Sequence, residues 1–350
     1  MEITSLLSHC ASLKASDCHL APGLPPIVRI NGNLQRLDVP PMAATQLDTV
    51  LYACMNLAQQ ARFDRLHTCD FHFPVDRLTH SRAHVYLQRL GRAAAFRLFP
   101  RSPPTLEQLG LPPILRQIAV CPHGLVLVTG ACGSGKSSTL AAMINYRNRL
   151  APCHILTLED PIEFVHESQR ALVSQRELDV EQESHAQVLS AMLREDPDII
   201  MIGEMRDAAS ISLALEAAET GHLVLSTLHA RSARDAIARM VASCPAVSQE
   251  LTRIQLSQSL TAIIAQALPR SCNGLTRLIA HEILLATPAV RNLIRENRGA
   301  QIESVLQTGQ QYGMHTLAQS LQHLLDQQKI SVEEALNHSN ECHWTLENLE

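Results

Sequence analysis

No stretch of this sequence approaches the roughly 18–20 consecutive apolar residues that a bilayer-spanning helix needs. The residues after Met1 show no basic-then-apolar leader. The expectation is a chain without a transmembrane segment or export signal. Close cysteine pairs are missing too. The ten cysteines are scattered, with no two within four positions, so the Cys-x2–4-Cys unit of a zinc site is absent. With no export signal, reduced thiols in a cytosolic setting are expected. No basic stripe appears and the net charge is −5, so the electrostatic footprint of a nucleic-acid binder is lacking. There is no internal repeat and no low-complexity tract.

What is present reads as a globular chain, 46% hydrophobic and 18% charged. Its 350 residues suggest roughly two domains. In the first hundred residues, Ile3, Leu6, Leu7 and Cys10 keep helical spacing. Short strands follow at Cys18–Leu20, Ile27–Ile30 and Leu34–Leu37, with Asn31-Gly32 as a hairpin turn. A helix over Thr45–Phe63 and strands at Phe71–Val75, Ala83–Leu87 and Ala94–Phe99 complete a small α+β domain over residues 1–100 with an antiparallel sheet. Five prolines between Pro100 and Pro113 mark a semi-rigid connector, 101–113. From 114 to 350 strands and helices alternate: Leu125–Thr129, His154–Leu158, Ile199–Ile202 and Leu223–Thr227 as strands, with helices at Lys136–Asn148, Gln187–Arg194 and Ala208–Glu219. That order predicts an α/β domain with a mainly parallel sheet. The chain beyond Ala233 reads as mostly helical, with one strand pair, Ala265–Leu268 and Leu278–Leu284, and a capping box at Ser331–Glu334.

The chemistry concentrates after the strands. Gly130-Ala131-Cys132-Gly133-Ser134-Gly135-Lys136-Ser137 fits G-x-x-x-x-G-K-[ST] without a mismatch, between an apolar strand and a helix. Glycines let consecutive N–H groups turn toward phosphate oxygens, Lys136 supplies a cation, and the Ser137 hydroxyl suits Mg²⁺. The helix N-terminus, continuing through Ser138, adds partial positive charge. Ile199–Ile202 ends in Gly203-Glu204, an acid placed to hold Mg²⁺ through water or to orient an attacking water. Glu159, Asp160 and Glu163 crowd the stretch after the second strand, an arrangement that calls for a nearby cation or polarised water, and Glu163 is the candidate general base. An ordinary acidic loop is the alternative. His222 and His229 bracket one strand. His229 suits a γ-phosphate sensor, and His222 a hydrogen bond to the acidic loop or a neighbouring subunit. Arg82, Arg89, Arg92 and Arg97 lie in the last strands of the first domain. Spacing favours surface charges, while planar guanidinium groups also suit bidentate phosphate contacts.

Together these stretches resemble the secretion and pilus motor ATPases nearly end to end, from Ala15–Pro26 to Thr287–Glu296. The Walker A loop is Gly130–Ser137, the Asp box Thr157–Glu163, the Walker B stretch Asp196–Asp207 and the His box Thr220–His229. The resemblance implies a PAS-like first domain, a RecA-like P-loop second domain and a homohexamer binding ATP and Mg²⁺ at subunit boundaries. It assigns catalytic roles to Glu163, Glu204, His222 and His229, and to an arginine from a neighbour. It places Gly130–Ser138 and Glu159 around the nucleotide. Ala289–Glu296 resembles a motif of the retraction branch, and the four-cysteine element of assembly and secretion relatives is missing. The implied function is a motor for type IV pilus retraction and twitching motility. It would sit at the inner face of the cytoplasmic membrane on a platform protein, alongside a paralogous retraction ATPase. The alternative is an accessory paralogue with little turnover. Two departures stand out. Ala131-Cys132 replaces the family's Pro-Thr. Leu87-Gln-Arg-Leu-Gly91 sets its arginine one position early, which points to Arg82 and Arg97 rather than Arg89.

Overall fold

The computed structural model describes residues 2–30, 32–76, 79–100, 102–178, 184–205 and 207–339. The chain divides into two compact units, one of residues 1–102 with 163–165 and the other of 103–162 with 166–350.

The first unit runs α1 (Ile3–Ser12), β1 (Asp17–Leu20), β2 (Ile27–Ile30), β3 (Asn33–Arg36), α2 (Ala44–Ala53), α3 (Leu57–Leu66), β4 (Thr68–Pro74), β5 (Thr79–Gln88) and β6 (Gly91–Pro100). Its strands form an antiparallel sheet in the order β3-β2-β1-β6-β5-β4. Strand side chains alternate between faces. Cys18, Leu20, Val28, Phe71, Ala83, Val85 and Phe96 go inward against Leu6, Leu7, Leu47, Leu51 and Phe63 of the helices. The outward face carries a cross-strand row, Arg29–Asp17–Arg97–Arg82–His72. The helix expected over Thr45–Phe63 is two helices. Asn56 divides them: its side chain accepts from the Gln59 N–H, and the Gln59 side chain accepts from the Asn56 N–H, each at 2.9 Å. This reciprocal box starts a new helix and overrides the continuous apolar spacing. Asn31 of the expected turn lies outside the described residues.

The second unit runs α4 (Ile114–Ala119), β7 (Gly124–Thr129), α5 (Lys136–Leu150), β8 (His154–Glu159), β9 (Leu172–Glu177), α6 (His185–Met192), β10 (Ile199–Ile202), α7 (Ala208–Glu219), β11 (Leu223–Leu228), α8 (Ala233–Ala242), α9 (Gln249–Ser259), β12 (Leu260–Ala267), β13 (Ala280–Leu285), α10 (Pro288–Arg295), α11 (Ile302–Thr308), α12 (Leu317–Asp326) and α13 (Val332–His338). The sheet order is β13-β12-β7-β11-β10-β8-β9. All pairings are parallel except β12 with β13. Both faces are covered, so the central strands are continuously apolar. Leu125 and Leu127 enter one core cluster with α6 to α9, and Val126 and Val128 enter another with α4 and α5. Leu106 and Leu111 are buried in that second cluster. The stretch from Pro103 to Pro113, expected as part of a connector, is thus packed into this unit. Strand β9 is an addition to the strands that the sequence pattern marks.

Two polar anchors organise the C-terminal part. Arg291 of α10 donates from Nη1 to the Ser257 carbonyl at 2.8 Å and to that of Gln258, and from Nε to Ala286 at 3.0 Å. It therefore binds the last turn of α9, where carbonyls lack helical partners. Glu282, buried on β13, accepts from the Ala233 N–H at 2.7 Å and from the backbone of Leu317. It meets the first residues of α8 and α12 together. Ser331 caps α13 through the Glu334 N–H, but the Glu334 carboxylate accepts from the Arg270 N–H and faces His338, so the expected box is only half made. No helix among the described residues is long and apolar enough to cross a membrane.

Candidate active site

Parallel register brings the motif residues to one edge of the second unit's sheet. Leu228 lies opposite Thr129, Ile202 opposite Leu158, and Ala265 opposite Thr129. The residues that follow, Gly130, His229, Gly203-Glu204, Glu159 and Gln266, all emerge at the carboxyl ends, where ligands bind in open α/β sheets. Gly130 has φ +145°, and a Cβ there would collide with the Gln266 carbonyl and the Ser134 hydroxyl. The loop fits a phosphate-sized anion. It ends at the N-terminus of a 15-residue helix, with Lys136 first and the half-buried Ser137 second. Two hydroxyls beside it, Thr129 Oγ1 and Ser134 Oγ, are buried without a hydrogen-bond partner.

Lys136 Nζ donates to the carbonyls of Gly130 at 3.0 Å and Ala131 at 2.8 Å, and lies 3.5 Å from His229 Nδ1. His229 Nε2 lies 3.1 Å from Glu204 Oε1. An ammonium only donates, so Nδ1 accepts, and the ring proton is assigned to Nε2, where it meets the carboxylate. The lysine, histidine and acid of three motifs thus form one polar line. Neighbouring strands fix the acid end. Thr227 Oγ1 donates to the Gly203 carbonyl at 2.6 Å, Ser226 Oγ to Ile202 at 2.8 Å, and the Gly203 N–H to Leu158 at 2.7 Å. A cleft of about 630 Å³ opens beside the loop, lined by Gly130, Ala131, Cys132, His229, Ala230, Arg231, Asp235 and Arg239. Arg239 Nη1 donates to the His229 carbonyl at 2.8 Å and holds that turn in place.

Not every expected residue joins this line. His222 sits at the amino end of β11, roughly 20 Å from His229 along the strand. Its Nδ1 faces the Ala217 carbonyl at 3.0 Å and the Thr220 hydroxyl at 3.3 Å. Among the described residues it secures the end of α7 and meets no acid of the acidic loop, which leaves the other expectation, a contact with a neighbouring subunit. Glu159 is buried, accepts from Thr157 Oγ1 at 2.8 Å and Gln175 Nε2 at 3.0 Å, and does not line the cleft. It fastens β8 to β9, the strand that sequence reading missed. Glu163 belongs to the first unit, as do Arg82 and Arg97. These two arginines are direct cross-strand partners, held by Asp70 at 3.2 Å and Asp17 at 3.0 Å. Arg92 instead pairs with Asp48 at 2.8 Å over Tyr52, and Arg89 lies in the turn between β5 and β6. Arg206 of the Walker B stretch lies outside the described residues.

One contributor was not foreseen. Gln266 is 3% exposed at the end of β12. Its Nε2 donates to the Ser134 carbonyl at 2.7 Å, and its Oε1 accepts from Thr139 Oγ1 at 3.0 Å. The available signal was a lone amide ending an apolar run, Ile263-Ile264-Ala265-Gln266.

A glycine loop between a central parallel strand and a helix, with its lysine in line with a histidine and an acid from two adjacent strand ends, defines a P-loop nucleotide-binding protein. Residues 88–340 match the type II/IV secretion system protein family, and this chain belongs to that family. It is 46% identical over 335 residues to the type IV pilus retractation ATPase PilT of Pseudomonas aeruginosa, covering 96% of this chain and 97% of that protein. It is 36% identical over 340 residues to the type IV pilus ATPase PilU of the same organism, covering 97% and 89%. The crystal structure of the pilus retraction motor PilT with bound ADP matches it with a TM-score of 0.90 at 40% identity, over 99% of both chains. The α/β architecture with its parallel sheet is the fold of these ATPases.

Proposed function

We propose that this chain is an ATPase subunit of a motor that powers type IV pilus retraction. The observation that carries the reading is the Lys136–His229–Glu204 line at the P-loop, in a chain so similar to a pilus retraction ATPase. The loop amides and Lys136 bind the polyphosphate, and Gly130–Ser138 wraps it. Ser137 Oγ, and Glu204 through water, are the groups that would hold Mg²⁺, which when bound neutralises phosphate charge. Glu163 takes a proton from the attacking water while an oxygen–phosphorus bond forms, and the bond to the ADP oxygen breaks. His229 donates from Nε2 and reports the γ-phosphate to Glu204. Arg82 or Arg97 of a neighbouring subunit offsets charge in the transition state, which makes a homohexamer the working form. The step from Ser102 to Pro103, where the chain passes from one unit to the other, is the hinge through which turnover becomes movement. A cytoplasmic position, peripheral at the inner membrane face on a pilus platform protein, follows from this role.

The testing experiment is ATP turnover of the purified chain against concentration, with mass by light scattering on the same samples. Turnover that rises as a hexamer forms and vanishes in Lys136→Ala is the expected result. Full turnover by a monomer removes the neighbour's arginine from the mechanism. The similarity to a second pilus ATPase, PilU, favours one alternative, an accessory paralogue. A hexamer that binds ATP without turning it over would select that alternative.

A further inference from the structure

We infer that Gln266 is a positioning residue that sets the phosphate-binding shape of the P-loop, an inference that rests on reading this loop as a nucleotide site. Gln266 contacts the loop and its helix in three ways, one through its backbone and two through its side chain. Its backbone carbonyl oxygen occupies the space a Cβ on Gly130 would need. Its Nε2 donates to the Ser134 carbonyl in the middle of the loop. Its Oε1 accepts from Thr139, fully buried in the first turn of α5. The amide orientation is settled by chemistry: the Ser134 carbonyl only accepts, so the NH₂ must face it. One side chain therefore joins the loop's centre to the helix behind it. It holds the carbonyl of Ser134 turned away from the cradle, as a loop whose N–H groups face an anion requires. The same amide nitrogen lies 3.2 Å from the position of a Cβ on Gly135, where the loop enters the helix at φ +87°.

Gln266 is also placed to do this without touching substrate. It lies on β12, parallel to the P-loop strand β7 and on the opposite side of it from β11, which carries His229. The loop is thus braced by Gln266 on one side and presented to His229 on the other. The cleft lining does not include Gln266. A fault there acts through the loop's geometry alone, and small misplacements of phosphate-binding groups carry costs of about 10²-fold.

The test compares wild type, Gln266→Leu and Gln266→Glu by titration with a fluorescent ATP analogue, steady-state kinetics and thermal unfolding. Gln266→Leu keeps the approximate volume and removes both hydrogen bonds. It should weaken analogue binding and raise KM by about 10-fold or more, with a smaller change in kcat. Gln266→Glu supplies the decisive readout. Ionised, the introduced carboxylate faces the Ser134 carbonyl without a proton to share. Protonated, it donates there and accepts from Thr139 as the amide does. Analogue affinity of this variant should therefore improve relative to wild type as pH falls. An unchanged KM in Gln266→Leu overturns the inference, as does an affinity loss that disappears on cooling in step with a lowered Tm, or a flat pH profile in Gln266→Glu. A wild-type chain that binds no ATP analogue overturns the nucleotide-site reading and this inference together, whereas normal wild-type binding with normal variants overturns only the latter.

Discussion

His229 lies between two charges of opposite sign, with Nδ1 3.5 Å from the Lys136 ammonium and Nε2 3.1 Å from the Glu204 carboxylate. In the proposed mechanism the ring relays the position of one charge to the other. His229→Ala should cut turnover by about 10²-fold, the usual cost of removing one oriented donor from a charged reaction centre. Fluorescent-nucleotide affinity should change only a few-fold. Equal losses in affinity and turnover would make the histidine a binding residue.

Gly130 and Gly133 both have positive φ, yet only Gly130 faces a crowded wall. Gly130→Ala should abolish nucleotide binding, because the Gln266 carbonyl and the Ser134 hydroxyl occupy the methyl position. Gly133→Ala meets nothing within 4 Å and should cost about 1–2 kcal/mol of backbone strain. Titration of both variants with an ATP analogue separates the two effects.

Cys132 is exposed on the P-loop, and Cys272 is exposed in the segment between β12 and β13. Alkylation with a maleimide should inactivate the protein, and ATP should slow the loss. The residual turnover of Cys132→Ser should become insensitive, whereas Cys272→Ser should remain as sensitive as wild type. Mass spectrometry of the alkylated protein checks the assignment.

Desolvation lowers the buried His166 and the half-buried His281 to about 4, with the neighbouring His315 adding to the effect at His281. The unfolded chain takes up these protons near pH 6.5. Between pH 6.5 and 4 the unfolded state therefore binds more protons. The contribution of these groups is complete above 6.5 and is lost as pH falls toward 4, by up to about 3 kcal/mol per imidazole. Urea denaturation at pH 7, 5.5 and 4.5 should show a shallower decline for His166→Gln than for wild type.

Arg82 and Arg97 stand side by side across β5 and β6, so two guanidinium groups can meet one phosphate. Arg97→Ala should bind ATP normally and lose turnover by about 10³-fold if the arginine acts on a transition state. Mixing it with Lys136→Ala should restore part of the activity, because some boundaries would then pair an intact loop with an intact arginine. No recovery in mixed rings would place the arginine's action within its own subunit.

The P-loop, Ile199–Ile202 and Ala208–Glu219 were legible because each joins strong periodicity to clear end signals, such as Asp207 capping α7 through the Ser210 N–H. The break between α2 and α3 was also written in the sequence, as Asn56-x-x-Gln59, but the apolar spacing spoke louder. Strand β9 was hidden because its Leu-Val-Ser-Gln-Arg-Glu sequence turns polar after two residues, and its place comes from pairing along β8. His229 was legible because ligands lie at the carboxyl ends of such strands, whereas the sequence did not show that His222, at the other end, turns back onto the Ala217 carbonyl of α7. Gln266 belonged to no motif. Its contacts, with Ser134 and Thr139, span more than a hundred residues of chain and exist only once β12 lies beside β7.

Glu282 gives the molecule a mechanical property. Burial raises its pKa, and the backbone donors of α8 and α12 work in the opposite direction. Both helices begin on the same carboxylate, like two levers keyed to one axle. α8 starts four residues after His229 and carries Arg239, which grips that turn. The starts of α8 and α12 therefore share a single bearing on β13 and keep a common footing for as long as that carboxylate holds both partners.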